Sequence, residues 1–166
     1  KDILNMSSGV GFNEDYRDFN SDINRFGRAF ALGSSYESFA LSLKREREPG
    51  TFNLYVSIVT QVLGMLLENV TGKRLSVYLK EKLWDPMGME FDAQWIIDKT
   101  GMELALGGLN ITLRDYAKIG LLYLQKGKGK CQQIVPEEWV KLATSPDAPH
   151  LMPGRDNPNS SNRYGY

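Results

Sequence analysis

The chain has 166 residues, of which 42% are hydrophobic and 24% are charged, and its 20 basic side chains balance 20 acidic ones. This length is sufficient for one domain with its own hydrophobic core. With a net charge of zero, the chain lacks the excess of basic residues that is typical of a nucleic-acid-binding protein. Because Glu68 and Lys73 interrupt the most hydrophobic stretch, no segment has the length of a membrane-spanning helix. We therefore expect one globular domain with no nucleic-acid partner and no membrane-spanning segment.

Cysteine and histidine are too scarce for several kinds of site. The single Cys131 excludes an internal disulfide and a cysteine-based metal cluster. His150 is the only histidine, which excludes a histidine-based metal site and a Ser-His-Asp triad built on any other histidine. We therefore expect no metal and no cofactor, and we expect His150 to be a solvated loop residue.

Both ends of the chain indicate a piece of a larger protein. Lys1 is not an initiator methionine, and the residues after it lack the charged-then-apolar pattern of a signal peptide. The last six residues, SNRYGY, form an aromatic, strand-like run with no turn or tail after it. The expected unit is one partial helical domain over residues 1–166.

Two helices are predicted in the first third of the chain. Ser21 or Asp22 can cap the first of them. Its apolar face consists of Ile23, Phe26 and Phe30. The second begins with a capping box, in which Ser34 precedes Glu37 by three residues.

The most apolar helix follows the turn at Pro49-Gly50. Its apolar residues form two rows, namely Ile58, Val62 and Leu66, and Val59, Leu63, Leu67 and Val70. This stripe is the widest in the chain, so we predict a helix from about Ser57 to Thr71, ended by Gly72, at the centre of a mainly α fold. We expect its second row to be buried.

Helices continue after the central helix. Ser76 can cap a short helix that residues 86–88 stop. Thr112, with Asp115 at the third position, predicts the start of a longer helix that ends at Gly127.

The end of the chain predicts a last helix and little regular structure. Pro136 suits the first turn of the last helix, and residues from 145 onward favour an irregular surface segment. Strands are predicted only at 132–135 and 163–166.

Two hydroxyl side chains, Tyr55 and Ser57, stand at the start of the central helix. In a structural interpretation Tyr55 is a half-buried aromatic residue and Ser57 caps the helix. In a chemical interpretation both belong to an active site. Spacing alone favours the structural interpretation.

Several segments, in order, resemble one family. The segment PGTFNLYVSIVTQVLGMLLENVTGKRLSVYLKEKLWDPMGME is similar to the region after the nucleophile helix in serine β-lactamase-related hydrolases. That family includes class C β-lactamases, D-alanyl-D-alanine peptidases, esterases and 6-aminohexanoate-oligomer hydrolases. Further matches are ILNMSSGVGFNEDY, GGLNITLRDYAKIGLLYLQKGK and IVPEEWV, and both NEDY and SPDAPHLMPG resemble the 6-aminohexanoate branch. The resemblance implies the helical subdomain of the α/β β-lactamase/transpeptidase-like fold, with the main sheet and the nucleophile helix largely outside this chain.

The resemblance also implies roles for three residues. The family uses a Ser-x-x-Lys nucleophile motif, a Tyr-x-Asn or Tyr-x-Ser motif, and a Lys/His-Thr/Ser-Gly strand. Tyr55-Val56-Ser57 matches the second, which makes Tyr55 a proton shuttle and Ser57 a hydrogen-bond partner of the lysine or of the substrate amide. Tyr16, in the NEDY loop, would contact substrate; the alternative is an aromatic residue packed on the helix behind it. Serine at position 57 suits small amide or ester substrates at least as well as β-lactams.

The other two motifs are not recognisable in the 166 residues. No serine has a lysine three residues later, and Ser42 and Ser160 have arginine there. The triplet at 99–101 spells Lys-Thr-Gly, but its context predicts a turn between helices. The isolated chain is therefore expected to be inactive.

Three further expectations follow. The Gly107-Gly108 pair predicts a tight turn. We also expect an exposed turn that contains Lys126, Lys128 and Lys130. We expect apolar surface to be exposed where the sheet of the larger protein would pack. This surface should favour self-association. The alternative function is a non-catalytic helical binding or scaffold module derived from the same family.

Overall fold

The computed structural model of the chain describes residues 1–152, and this part is mainly α-helical. The helices are α1 (Asp22–Ala31), α2 (Tyr36–Leu41), α3 (Ser57–Thr71), α4 (Leu75–Leu79), α5 (Asp85–Met87), α6 (Leu113–Leu124) and α7 (Glu137–Ala143). A π-helical turn, Lys80–Trp84, joins α4 to α5, and a 3₁₀ turn covers Pro149–Leu151. No helix of the described part has the length and apolar character needed to cross a membrane.

The described residues contain one sheet, formed by two short strands that were not predicted. Strand β1 (Gln94–Trp95) pairs antiparallel with β2 (Leu109–Asn110), with Trp95 opposite Leu109. The strand predicted at 132–135 is wrong, because only Gln133 there makes an isolated bridge, to Lys128. The strand predicted at 163–166 lies outside the described residues.

The core forms where α1, α2 and the first half of α3 meet. Its buried members are Phe12, Ile23, Phe26, Tyr36, Val56, Ile58 and Val59. The Tyr36 ring lies 5.2 Å from Phe30 and 5.6 Å from Phe26, measured between ring centroids. The start of α3 is therefore held rigidly, which matters because the candidate site lies there.

Only the first half of α3 is central, so one part of the prediction is wrong. Val59 is buried, but Leu67 is 40% exposed and Val70 is 76% exposed. On the side of α3 that packs against the rest of the protein, Gln61 is fully buried. Its amide donates to the Glu103 carbonyl (2.9 Å) and accepts from the Ala105 N–H (2.8 Å). Within the described part, no layer covers the remaining apolar row.

Helix caps follow the sequence prediction in part. Ser21 caps α1, Thr112 caps α6, and Gly72 ends α3 in the left-handed conformation at φ +65°, as predicted. The predicted capping box at Ser34 is wrong, because Ser35 caps α2 by accepting from the Ser38 N–H (3.2 Å).

Three helix boundaries after α3 also differ from the prediction. Ser76 does not cap α4, since its hydroxyl instead donates to the buried Glu103 carboxylate (2.6 Å). Pro136 occupies the N-cap of α7, one position before the first turn. Helix α6 ends at Leu124, and Gly127 follows at φ +82°.

Candidate active site

Tyr55 and Ser57 flank Val56 where α3 begins. Val56, the N-cap residue, is extended (φ −141°, ψ 103°) and buried, and its side chain makes no capping hydrogen bond. This geometry leaves Tyr55 49% exposed while Ser57 is 5% exposed. The structural interpretation of Ser57 as the helix cap is therefore wrong, because Ser57 is the first residue of the helix.

Glu14 supplies the missing cap from 43 residues earlier in the chain. Its Oε1 accepts the Ser57 backbone N–H at 2.6 Å, and its Oε2 accepts the Ser57 hydroxyl at 3.0 Å. A carboxylate is favoured here because the first N–H groups of a helix are unpaired and carry partial positive charge. Sequence reasoning did not identify Glu14, since an isolated glutamate in a polar loop has no local signal for a contact so far along the chain.

The same contact fixes the loop that carries Tyr16. Glu14 is two residues before Tyr16, and the Asn24 amide of α1 donates to the carbonyls of Asp15, Tyr16 and Asp18 at 3.5, 3.1 and 2.8 Å. The Tyr16 ring is 69% exposed. The backbone at Tyr16 is thus ordered while its phenol remains available at the surface.

A recess of about 440 Å³ lies between this loop and α1. It is lined by Tyr16, Arg17, Phe19, Asn24, Gly27, Arg28 and Ala31. The Arg28 guanidinium lies 3.9 Å from the centre of the Phe19 ring and donates to the Phe19 carbonyl (2.5 Å). A Cβ at Gly27 would have no neighbour within 4 Å, so there is open space beside this residue. The recess therefore has aromatic and cationic walls and one of the predicted site residues.

The Lys-Thr-Gly triplet at 99–101 forms a turn. Asp98 accepts from the Thr100 N–H (2.8 Å) and hydroxyl (2.6 Å), and Gly101 has φ +87°. The turn connects Ile97 to Glu103, which form an isolated antiparallel bridge, so it lies between extended segments and not between helices as expected. These residues provide no catalytic strand.

The remaining candidates lie outside the site. Gly107-Gly108 forms a tight turn, in which both N–H groups donate to the Leu104 carbonyl (3.4 and 2.8 Å). His150 is half-buried in the 3₁₀ turn, and its Nε2 is buried, so the expectation of a solvated side chain is wrong. Within residues 1–152 no group of three or more His, Cys, Asp or Glu residues is arranged to hold a metal ion.

A family model described as Beta-lactamase matches residues 1–155. The chain belongs to the β-lactamase family. This confirms the resemblance, and the two-stranded sheet together with the helices identifies the described part as a helical portion of the β-lactamase-like fold.

Named relatives support the same placement within the family. The chain is 31% identical to the 6-aminohexanoate-dimer hydrolase of Paenarthrobacter ureafaciens over 147 residues, which are 84% of this chain and 37% of that protein. It is 31% identical over 105 residues to a protein of Aspergillus campestris named unguisins hydrolase, covering 55% of this chain and 20% of that protein. The chain thus spans well under half the length of the curated relatives that it matches.

Two solved structures are similar to the chain. A Bacillus anthracis protein provisionally named a 6-aminohexanoate-dimer hydrolase matches with a TM-score of 0.72 and 25% identity, over 84% of this chain and 39% of that one. The octameric penicillin-binding protein homologue from Pyrococcus abyssi matches with a TM-score of 0.61 and 21% identity, over 89% and 39%. The second likeness concerns the fold alone.

Proposed function

We propose that this chain is the helical part of a serine hydrolase that cleaves amide or ester bonds, with Tyr55 and Ser57 as members of its active site. The rest of the protein would supply the Ser-x-x-Lys helix and the catalytic strand. The proposal assigns Tyr55 the transfer of a proton between the nucleophile and the leaving group, since a phenol beside a lysine ammonium ionises more readily. Tyr16 would contact the substrate from the neighbouring loop.

The geometry at the start of α3 carries the proposal. A half-exposed tyrosine precedes α3 and an anchored serine is its first residue, and Val56 between them belongs to the hydrophobic core together with Ile58 and Val59 of the first turn. A catalytic group must be held to within a fraction of an ångström, and rigid helices do this better than loops. The 49% exposure of Tyr55 agrees with both interpretations of this residue, and the kinetic test below separates them.

Substrate class is proposed from two observations. The match to the Paenarthrobacter ureafaciens hydrolase favours a linear 6-aminohexanoate-type amide, and Ser57 replaces the asparagine that is commoner in this motif. Amides and esters of this kind leave an extended chain to be bound, and the recess beside Tyr16 offers a wall for it. The proposal therefore favours a linear amide over a β-lactam.

The test is hydrolysis of an aminohexanoate dimer, a p-nitrophenyl ester and a chromogenic β-lactam. The isolated chain should hydrolyse none of them, because it lacks a nucleophile motif. In the full-length protein, Tyr55→Phe should lower turnover by about a hundred- to ten-thousandfold, which is typical of a lost general acid–base group. Ser57→Ala should cost less, because water can partly replace a hydrogen-bond partner.

Tyr116→Phe is the matched control, since Tyr116 is 64% exposed on α6. It should leave turnover unchanged. A Tyr55→Phe protein with near-normal turnover and reduced thermal stability would show that Tyr55 is structural. A full-length protein without Ser-x-x-Lys would instead support the non-catalytic binding or scaffold module.

A further inference from the structure

The Ser57 hydroxyl is oriented by the Glu14 carboxylate. An ionised carboxylate only accepts hydrogen bonds, so the contact of 3.0 Å between Ser57 Oγ and Glu14 Oε2 requires the hydroxyl to donate its single proton to Glu14. The neighbouring contact cannot reverse this, because the Ser57 backbone N–H is itself a donor to Glu14 Oε1 at 2.6 Å. The two lone pairs of the hydroxyl then remain for other partners.

We propose that Glu14 is a positioning residue that makes Ser57 a hydrogen-bond acceptor for the N–H of a scissile amide. This inference rests on the proposed function of the same site. An ester has an oxygen where the amide has its N–H group, so it gains nothing from an acceptor at that position. Glu14 thereby favours amide substrates over esters without touching either.

The surroundings of Glu14 support a fixed orientation. The carboxylate caps a helix that has no side-chain cap of its own, and Ser57 is 5% exposed, so bulk water offers the hydroxyl little competition. A charged hydrogen bond is about twice as strong as one between neutral groups. The donor direction of Ser57 is thus set before any substrate arrives.

Glu14→Gln is the diagnostic substitution because it preserves size and shape. The Ser57 backbone N–H still needs an acceptor, so the glutamine Oε1 takes that position and its NH₂ group faces the hydroxyl. That NH₂ donates to Ser57 Oγ, and the serine proton then points away from Glu14. An amide N–H approaching Ser57 would meet a competing donor.

The experiment compares kcat/KM of the full-length protein on an aminohexanoate dimer and on the ester of the same acid. Glu14→Gln should lower kcat/KM for the amide by about tenfold or more, in line with a lost hydrogen bond to a charged or buried partner, and leave the ester within about threefold. Glu37→Gln is the control, since Glu37 is exposed in the first turn of α2. It should alter neither substrate.

Equal losses on amide and ester would overturn the inference, because Glu14 would then only hold the loop or the helix in place. Unchanged kinetics on both, or no hydrolysis of either by the parent protein, would overturn it as well. Tyr55→Phe separates the two proposals. If that variant keeps normal turnover while Glu14→Gln selectively impairs the amide, the Tyr55 assignment fails and the role of Glu14 stands.

Hydrogen exchange of the full-length protein provides an independent check. The Ser57 amide proton should be protected from hydrogen exchange, and Glu14→Ala should remove this protection while Glu14→Gln retains it, since only alanine lacks an acceptor. If the Ser57 amide proton remains protected in Glu14→Ala, the contact between Ser57 and Glu14 does not form and the inference is wrong.

Discussion

The Asp115 side chain connects two segments of the chain through hydrogen bonds. Its side chain is fully buried and accepts hydrogen bonds from the N–H groups of Glu90 (2.9 Å) and Phe91 (3.1 Å), the Thr112 hydroxyl (3.0 Å) and Lys118 Nζ (3.0 Å). Burial alone would raise the pKa of Asp115, but these hydrogen bonds outweigh it and lower the pKa to about 2. The carboxylate therefore joins the start of α6 to the segment after α5.

The pH dependence of this contribution has a definite sign. Because folding lowers the pKa of Asp115 from 3.8 to about 2, the ionised form stabilises the fold above pH 3.8, and this stabilisation is lost as the pH falls towards 2. Asp115→Asn should lower the free energy of unfolding at pH 7, and the difference from wild type should shrink over that interval. Urea unfolding at several pH values measures it. The exposed Asp92→Asn is the control, and a difference that stays constant with pH would contradict the assignment.

Residue-level prediction from sequence was limited by distance along the chain. The Thr112 cap could be predicted because a cap and the third position of its helix, Asp115, are neighbours in the sequence. Tyr55 and Ser57 are proposed as site residues because a family motif is local. Glu14 was missed because its partner lies 43 residues away. Ser76 was misassigned for the same reason, since Glu103 competes for its hydroxyl from 27 residues away. Local spacing indicates which groups can form a hydrogen bond, while packing decides their partners.

Helix α3 depends on a glycine where another segment crosses it closely. A Cβ on Gly64 would lie 2.7 Å from the Ala105 Cβ and 3.0 Å from Leu75 Cδ1. Gly64→Ala should therefore destabilise the protein by about 1–3 kcal/mol through overpacking. Gly120 in α6 is the matched control, because a Cβ there meets nothing within 4 Å. Gly120→Ala should stabilise by up to about 1 kcal/mol through helix propensity. Chemical denaturation of both variants tests this, and a neutral or stabilising effect of Gly64→Ala would show that the crossing is looser.

Long helices could be predicted from the sequence, whereas very short secondary-structure elements could not. The apolar period of α3 extends over four turns, and its start at Ser57 and end at Gly72 follow from the sequence. Strands β1 and β2 have two residues each, too few for an alternating pattern to be recognised. The π-helical turn at Lys80–Trp84 also has no sequence signature, since it was read as part of an ordinary helix.

The whole molecule has apolar surface that its described part does not cover. On the second half of α3, Leu66 is 53% exposed, Leu67 is 40% exposed and Val70 is 76% exposed, and these three residues form what we call the α3 face. The periodic pattern correctly predicted an apolar stripe there, but a stripe does not reveal which protein layer covers it. No described residue covers the α3 face, in a chain that spans 39% of the structural relative from Bacillus anthracis.

The α3 face should cause the isolated chain to self-associate. Contiguous exposed leucine and valine side chains lose contact with water when two copies meet, at about 25 cal/mol per Å² of buried apolar surface. We expect the chain to bind a hydrophobic dye and to show a concentration-dependent mass in sedimentation equilibrium. Leu66→Lys combined with Val70→Lys should reduce both signals. The control is Leu32→Lys, which removes an apolar side chain that is 87% exposed just after α1. A monomeric chain that binds no dye, or equal effects of the two variants, would show that the α3 face is not an association surface.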